Sequence, residues 1–236
     1  ENALSMTNFS EYYQYVHPAV GCQACPALVR NRHHVVWSRG PVKSRLMAIG
    51  EAPGRNEDIK GIPFVGRAGQ LMDRLLTSAG FDPRSMHIAN RVMCRPPDNR
   101  DPEPEEIANC LPWLVEHIRM VEPKGLILFG RSALSLMFDQ SAVNLTQGLM
   151  YSSICTGCGG RAGDHFPRYA EDGTWKSRPE CGITDSTVLV AAIYHPAAAL
   201  RDPDLEPAIT RQLRRLHDEL EQRGWLPEPQ DDTPDA

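Results

Sequence analysis

The sequence predicts an α/β fold of three layers, in which helices cover both faces of a central, mostly parallel four-stranded sheet. Short apolar runs alternate along the chain with segments of helical periodicity. This alternation is typical of parallel sheets whose strands are joined by crossover helices. In addition, 236 residues of which 41% are hydrophobic are enough to bury one substantial core. We therefore expect one main domain.

The first half of the predicted sheet consists of two strands joined by a helix. Residues 46–49 form an apolar run that indicates a short buried strand. A helix is expected over 66–79, because leucines recur there at helical spacing and Gly80 supplies a stop. The next apolar run, at 87–92, predicts the second strand.

The second half repeats this pattern. A helix is expected over 104–121, because Pro104 and several acidic residues at its start suit the first turn of a helix. The elements predicted after it are a strand at 126–130, a helix at about 131–138, a strand at 188–193 and an amphipathic helix at 206–221.

The chain is expected to divide into an N-terminal arm at 1–20, a main domain at 21–225 and an acidic tail at 226–236. The tail is rich in proline and acids, which predicts disorder, and it carries four of the negative charges behind the net charge of −5. The body is therefore near neutral, which leaves room for a basic face. We find no apolar run near the ~20 residues of a membrane span and no signal-peptide pattern, so we expect a monomeric cytoplasmic enzyme.

The most informative segment follows the first strand and carries chemistry on a tight turn. Residues 50–58 read GEAPGRNED, and PFVG follows at 63–66. The two glycines let the backbone approach a ligand closely, and the proline between them stiffens the turn. Carboxylates are costly to bury unless a site uses them. This turn, with Phe64 expected to be an exposed aromatic, is the first candidate site.

Two further strands end in polar side chains. Asn90 closes the second apolar run, and His195 follows the run at 188–193. Ligands of open α/β sheets gather at the carboxyl ends of the strands. We therefore expect a glutamate, an aromatic ring, a carboxamide and an imidazole to surround one site.

These motifs resemble those of the family 4 uracil-DNA glycosylases, the iron–sulfur branch of the uracil-DNA glycosylase superfamily. The resemblance extends over roughly residues 20–220, apart from one segment at 151–185. The matching pieces are GEAPG at 50–54, Glu57-Asp58, PFVG at 63–66, AGQL at 68–71, Asn90, CRPP at 94–97 with Asn99-Arg100, and His195-Pro196 with Leu200-Arg201.

The resemblance implies a uracil-DNA glycosylase fold and a DNA repair enzyme that hydrolyses the N-glycosidic bond of uracil in DNA and leaves an abasic site. A flipped base is read by stacking and by hydrogen bonds to its pairing edge, which suits Phe64 and Asn90. His195 is expected to donate to O2 of the departing uracil, and Glu51 to position or activate water.

The resemblance also suggests roles for residues around these four. Glu57 is expected near C5 of the base, where it would exclude the thymine methyl. Backbone N–H groups around Ala52 and Gly54 are expected to contact the base or phosphates. Contacts to DNA are expected from Pro53, Arg67, Leu200 as a wedge, and Arg201. The cationic side chains near these loops could contact phosphates or could form only a solvated face. They are Arg55, Lys60, Arg67, Arg91, Arg95, Arg100 and Arg201.

Four of the seven cysteines indicate a metal centre. Cys22 and Cys25 have the CxxC spacing of metal or redox sites, while Cys94 and Cys110 could equally be buried apolar cysteines. The family resemblance implies that all four bind a [4Fe-4S] cluster. We expect its role to be structural, fixing the N-terminal segment and the loop after Cys94 against the sheet.

The other three cysteines lie in the segment at 151–185, which looks inserted as a Gly- and Ser-rich loop. Cys155 and Cys158 are followed by glycine, the spacing that zinc ribbons favour, and Cys181 could be a third ligand. A fourth ligand would be His165, Asp164 or Asp185. A loop with unliganded thiols is the alternative to this possible zinc site.

Two other functions are also consistent with the sequence. One is a glycosylase for another modified or deaminated base, since the segment at 151–185 could alter base preference. The other is a non-catalytic iron–sulfur protein that binds nucleic acid. The presence of Glu51, Asn90 and His195 together favours an enzyme, because a binding module does not need all three.

Overall fold

The structure, a computed structural model, describes residues 20–134, 149–155, 160–161, 168–169, 175–176 and 187–227. For residues 119 and 134, and for those between 149 and 187, only the backbone is described. The expected arm apart from residue 20, most of the acidic tail and the end of the helix predicted at 131–138 lie outside the described residues.

The described chain alternates strands and helices in the order that the sequence predicts. The helices are α1 (Pro26–Asn31), α2 (Arg55–Lys60), α3 (Arg67–Ser78), α4 (Pro104–Val121), α5 (Gly130–Leu134), α6 (Pro196–Ala199) and α7 (Glu206–Gln222). The strands are β1 (Ser38–Arg39), β2 (Leu46–Gly50), β3 (His87–Asn90), β4 (Gly125–Phe129), β5 (Leu149–Cys155), β6 (Gly160–Arg161), β7 (Arg168–Tyr169), β8 (Trp175–Lys176) and β9 (Thr187–Ile193).

The main sheet has the strand order β1-β3-β2-β4-β9-β5-β6. Its centre is the four-stranded parallel unit that the sequence predicts, because β3, β2, β4 and β9 pair in parallel. In this register Gly50 lies beside Asn90. The carboxyl ends of these strands therefore meet at one edge of the sheet, where the predicted site residues follow them.

Antiparallel strands extend both sides of this unit, and the sequence predicted none of them. Strand β5 pairs with β9, with Leu149 opposite Ala191 and Ser153 opposite Thr187. Residues 151–155 were expected to belong to an inserted loop, and this expectation is wrong for the backbone of β5. The free edge of β9 supplied the pairing partner, which the Gly- and Ser-rich composition did not reveal.

The buried side chains form two layers, one on each face of the sheet. On β2, Leu46 and Ala48 join the core under α3 and α7, while Met47 and Ile49 join the core under α4. This alternation follows from the two-residue period of a strand that is buried on both faces. The three-layer arrangement is therefore confirmed. Within the described part of the chain, no helix has both the length and the apolarity that crossing a membrane requires.

A pair of buried histidines links β3 to α4. The Nε2 atoms of His87 and His117 lie 2.6 Å apart, and His87 Nδ1 lies 2.7 Å from the carbonyl oxygen of Pro41. Because that carbonyl can only accept, His87 Nδ1 donates to it, and His87 Nε2 accepts from His117. Both side chains are fully buried, and Trp37 stacks on His117 at 4.9 Å. Burial lowers the pKa of His87 to about 4 and that of His117 well below its usual 6.5.

This pair makes folding stability depend on pH. The folded-state pKa of His87 lies below the unfolded value of 6.5, so its contribution is complete above that pH and is lost as the pH falls towards about 4. For His87 alone the loss is on the order of 3 kcal/mol. Urea denaturation at a series of pH values should show the free energy of unfolding falling between pH 6.5 and 4. A constant value over that range would contradict the neutral pair.

Candidate active site

A cleft of about 590 Å³ opens at the carboxyl ends of β2, β3 and β9. It gathers the predicted base- and DNA-contacting residues, with the exception of Leu200. Those that line the cleft are Glu51, Ala52, Pro53, Gly54, Glu57, Phe64, Arg67, Asn90, His195 and Arg201. The cleft is large enough for a nucleobase and part of its sugar, and it is open to solvent on one side.

Phe64 and Asn90 form the floor of this cleft, and two glycines leave the space that this packing needs. A Cβ atom on Gly50 would lie 2.4 Å from Phe64 Cζ and 2.6 Å from Asn90 Oδ1, so both side chains depend on its absence. A Cβ on Gly69 would lie 1.9 Å from the carbonyl oxygen of Phe64. Phe64 is only 6% exposed and has a φ of 56°. The expectation of an exposed aromatic is therefore wrong, because α3 packs directly beneath it.

Asn90 presents a buried carboxamide to the cleft. It is the last residue of β3 and is 2% exposed. Among the residues that the structure describes, none makes a hydrogen bond to this carboxamide. Because Asn90 lines the cleft, both the donor and the acceptor of its carboxamide remain available to a ligand.

His195 is held in one neutral tautomer. Its Nδ1 accepts a hydrogen bond from the backbone N–H of Ala197 at 3.1 Å, which leaves the proton on Nε2. Burial, together with the positive charge of Arg201, lowers the pKa of His195 to about 4. Its ring lies 6.2 Å from that of Phe64 at an interplanar angle of 29°. The imidazole is therefore a neutral donor beside the aromatic ring.

Glu51 is a partly buried carboxylate at the mouth of the same cleft. Burial is the main reason that the pKa of Glu51 is raised, and the negative charge of Asp101 raises it as well. The hydrogen bond from Ser132 and the positive charge of Arg91 lower it in part. A raised pKa makes the ionised form a better proton acceptor. The backbone is fixed as well, because the N–H of Val92 donates to the carbonyl oxygen of Glu51 at 2.9 Å.

The two acidic residues of α2 have different partners. Glu57 lines the cleft, and its Oε1 accepts the backbone N–H of Gly66 at 2.6 Å, which holds the turn that carries Phe64. Asp58 is fully buried and accepts from the backbone N–H of His33 at 2.8 Å and from its ring at 2.7 Å. Asp58 therefore ties α2 to the chain segment that follows α1.

Only some of the predicted cationic side chains are exposed at the cleft. Arg55, Arg67 and Arg201 are exposed there, whereas Arg91 is 5% exposed and is not a surface residue. Arg100 lines the cleft but makes a bidentate ion pair with Glu106, with Nη2–Oε1 and Nη1–Oε2 distances of 2.7 and 2.9 Å. Leu200, next to Arg201, is 37% exposed, while Pro53 is buried in the wall of the cleft.

The four cysteines expected to bind a metal gather beside this site. Cys94 and Cys110 are buried in one small core that also contacts Cys25 and Ala52. Burial, together with the neighbouring thiols Cys94, Cys25 and Cys22, raises the pKa of Cys110 to about 12. The four side chains are thus electrostatic neighbours, although they come from separate segments.

Hydrogen-bond donors surround the sulfur atoms. Arg32 Nη1 donates to Cys94 Sγ at 3.1 Å, and Asn109 Nδ2 lies 3.5 Å from Cys25 Sγ. In the described part of the chain, no three cysteine sulfurs lie within 4.8 Å of one another. Hydrogen-bond donors of this kind are typical around the thiolates of an iron–sulfur cluster.

The other predicted metal ligands cannot be placed in the same way. Cys155 ends β5 and is described by its backbone alone, while Cys158 and Cys181 lie outside the described residues. The zinc site at these three cysteines stays a prediction.

Sequence reasoning missed Ser132 and Asp101 near Glu51, and it named Arg91 only as one of the cationic side chains near the site loops, without its buried role. Ser132 lies three residues beyond the end of β4, so the rule that identified Asn90 and His195 at strand ends could have found it. Nothing in the local sequence of Arg91 distinguishes it from a surface arginine.

Comparisons with known proteins agree with this arrangement. A family model described as the uracil DNA glycosylase superfamily matches residues 37–218. The type-4 uracil-DNA glycosylase of Saccharolobus solfataricus is 36% identical over 200 residues, which cover 84% of this chain and 82% of that protein. The type-4 enzyme of Archaeoglobus fulgidus is 31% identical over 206 residues, which cover 85% of this chain and 89% of that protein. The type-4 enzyme of Thermotoga maritima is 43% identical over 126 residues, which cover 53% of this chain and 65% of that protein. With a matched region that spans the sheet and the cleft, the chain belongs to the uracil DNA glycosylase superfamily.

Proposed function

We propose that this protein is a DNA repair enzyme that hydrolyses the N-glycosidic bond of uracil in DNA and leaves an abasic site. The observation that carries the proposal is one cleft in which a neutral imidazole, an unpartnered carboxamide, an aromatic ring and a basic carboxylate meet. The similarity to type-4 uracil-DNA glycosylases over most of the chain supports the same function.

Phe64 and Asn90 would recognise the base. A uracil flipped out of the duplex can stack on the Phe64 ring, while the Asn90 carboxamide donates to O4 and accepts from N3–H. Cytosine has the opposite donor and acceptor at these positions. Because Asn90 is buried, cytosine would leave its polar groups without partners, which is a strong basis for discrimination.

His195 would stabilise the departing base. When the bond between C1′ and N1 breaks, its electron pair moves onto the uracil, largely to O2. The Nε2–H of His195 can donate to that oxygen, and the hydrogen bond strengthens as the negative charge develops. A neutral donor suffices, which agrees with the lowered pKa of His195.

Glu51 would act on the sugar side. Its carboxylate can orient a water molecule towards C1′ and accept a proton as the new C–O bond forms, while its charge stabilises the cationic sugar. Such general-base assistance typically contributes about 10²- to 10⁴-fold. Glu57 would hold the Phe64 turn near C5 of the base, and backbone N–H groups around Ala52 and Gly54 would contact the base or a phosphate.

The rim of the cleft would bind DNA. Arg67 and Arg201 are exposed cations that line the opening and suit phosphate contacts. Leu200 is a partly exposed apolar side chain that could fill the gap left by the flipped nucleotide. Pro53 could contact DNA only through the surface that it presents to the cleft.

The four gathered cysteines fit a [4Fe-4S] cluster, which Cys22, Cys25, Cys94 and Cys110 would hold. When bound, such a cluster can supply electron transfer or a covalent cross-link, and its proposed role here is the cross-link. Ala52 packs against this cysteine core, so the cross-link would fix the turn that carries Glu51.

The test is a panel of duplex and single-stranded oligonucleotides that differ at one defined position. That position carries uracil, cytosine, thymine or a deaminated base other than uracil. We expect alkali-sensitive sites only at uracil, in the presence of EDTA and without ATP. Cleavage at another deaminated base but not at uracil would favour the alternative glycosylase, and binding without cleavage would favour the non-catalytic protein.

A substitution at the floor of the cleft tests its geometry. In Gly50→Ala the added Cβ must displace both Phe64 and Asn90, so we expect uracil release to slow by at least about 100-fold. The clash is with the ends of side chains, so the protein should still fold, as measured by its melting temperature. Gly224→Ala is the control for loss of stability alone: its Cβ would meet no atom within 4 Å, but its φ of 65° disfavours a side chain, so it should lower the melting temperature without slowing uracil release. Release by Gly50→Ala at the rate of the unmodified protein would contradict the assigned floor.

A further inference from the structure

A buried network lies behind the carboxylate of Glu51. Arg91 is 5% exposed, and its Nη1 donates to the carbonyl oxygen of Ser132 at 2.6 Å and lies 3.4 Å from Ser132 Oγ. The hydroxyl of Ser132 in turn makes a hydrogen bond with the Glu51 side chain. The backbone N–H of Arg91 donates to the carbonyl oxygen of Gly50 at 2.9 Å. The network therefore joins the ends of β2 and β3 to the start of α5.

We infer that Ser132 is a positioning residue that fixes the orientation of the Glu51 carboxylate, and that Arg91 holds Ser132 in place. This inference rests on the proposed function, because it assigns these residues to the same reaction.

The geometry explains why a buried arginine stands at this position. A guanidinium is costly to bury unless it is used, and here it fixes the first turn of α5 against the strand ends. The Ser132 hydroxyl occupies part of the lone-pair capacity of Glu51, which leaves the remainder of the carboxylate for water and the sugar. A misplacement of a catalytic group by about 1 Å can cost about 100-fold in rate.

The charged and hydrogen-bonding groups that shift the pKa of Glu51 come from three segments. Arg91 on the turn after β3 and Ser132 on α5 favour its ionised form, and Asp101 on the loop before α4 disfavours it. Loss of the Ser132 hydroxyl should therefore raise the pKa of Glu51 and loosen its orientation. A network that served only to tie α5 to the sheet would change stability but neither of these properties.

The experiment compares Ser132→Ala with Ser132→Thr, which keeps the hydroxyl. In single-turnover uracil release, we expect Ser132→Ala to be about 10- to 100-fold slower at saturating enzyme, with little change in affinity for the DNA. Glu51 must be ionised to accept a proton. The decline in the release rate of Ser132→Ala on acidification should therefore begin at a higher pH than in the unmodified protein. Ser132→Thr should have nearly the rate of the unmodified protein. Arg91→Lys, which lacks the planar guanidinium that donates to Ser132, should resemble Ser132→Ala. Ser78→Ala, on α3 away from the cleft, is the control for a lost serine hydroxyl and should leave the rate unchanged.

A second readout does not require turnover. Carboxyl ¹³C NMR titration of Glu51 should show a higher pKa in Ser132→Ala than in the unmodified protein or in Ser132→Thr. Unchanged kinetics and an unchanged Glu51 titration in Ser132→Ala would overturn the inference even if the melting temperature falls. An unmodified protein that releases no uracil would instead contradict the proposed function, while the titration would still decide the role of Ser132.

Discussion

Replacement of His195 by alanine is expected to slow single-turnover uracil release by about 100- to 1000-fold, the effect of removing one preorganised donor to a developing oxyanion. The hydrogen bond from Ala197 fixes the imidazole so that its Nε2–H is the available donor. No general acid is required, because the transition state gains more from this bond than the ground state does. The loss should therefore appear in the rate of the bond-breaking step rather than in DNA affinity.

The pH dependence separates His195 from Glu51. The pKa of His195 lies at about 4, so its donor form persists throughout the range above that value. The pKa of Glu51 is raised above its usual 4.5, so uracil release should decline first as Glu51 becomes protonated on acidification. His195→Ala should keep the same acidic limb at a lower rate, whereas Glu51→Gln should abolish it. An acidic limb that disappears in His195→Ala would contradict these roles.

Replacement of Cys94 by alanine is expected to abolish iron binding and to lower the free energy of unfolding by several kcal/mol, because metal binding contributes directly to folding. Cys94 lies in the small core that contacts Ala52, and Arg32 joins its sulfur to the carbonyl oxygen of Cys22. Loss of the cluster should therefore release both the N-terminal segment and the loop after Cys94. The measurements are iron per protein and urea denaturation on the same preparation.

Cys155→Ser provides the matched control, since this residue belongs to the other cysteine group. It should keep the iron content of the unmodified protein, and it should lose zinc if the segment at 151–185 binds that metal. Full iron content in Cys94→Ala would show that Cys94 is not a ligand. A fall in iron in both variants would contradict the division of the cysteines into two groups.

The sequence was most informative where chemistry follows a strand end. Glu51, Asn90 and His195 were identified because each closes or follows a short apolar run, and in the folded chain all three line one cleft. The parallel order of β3, β2, β4 and β9 was also accessible, since alternating strands and helices leave few arrangements.

What could not be predicted depends on contacts between distant segments. The burial of Phe64 results from the missing side chains of Gly50 and Gly69, which become relevant only when α3 packs against the sheet. Arg91 resembles a surface arginine in sequence, and only the approach of α5 supplies its acceptor. Strand β5 was missed because its pairing partner, β9, lies more than thirty positions along the chain.

The most direct test of the central claim is the amount of free uracil released from a duplex that carries a single uracil, measured together with the number of abasic sites, in EDTA and without ATP. We expect one uracil per abasic site for the unmodified protein, no release of cytosine or thymine, and a loss of at least about 100-fold in Asn90→Ala. Intact uracil-containing DNA after incubation with iron-loaded protein, or equal release by Asn90→Ala, would contradict it.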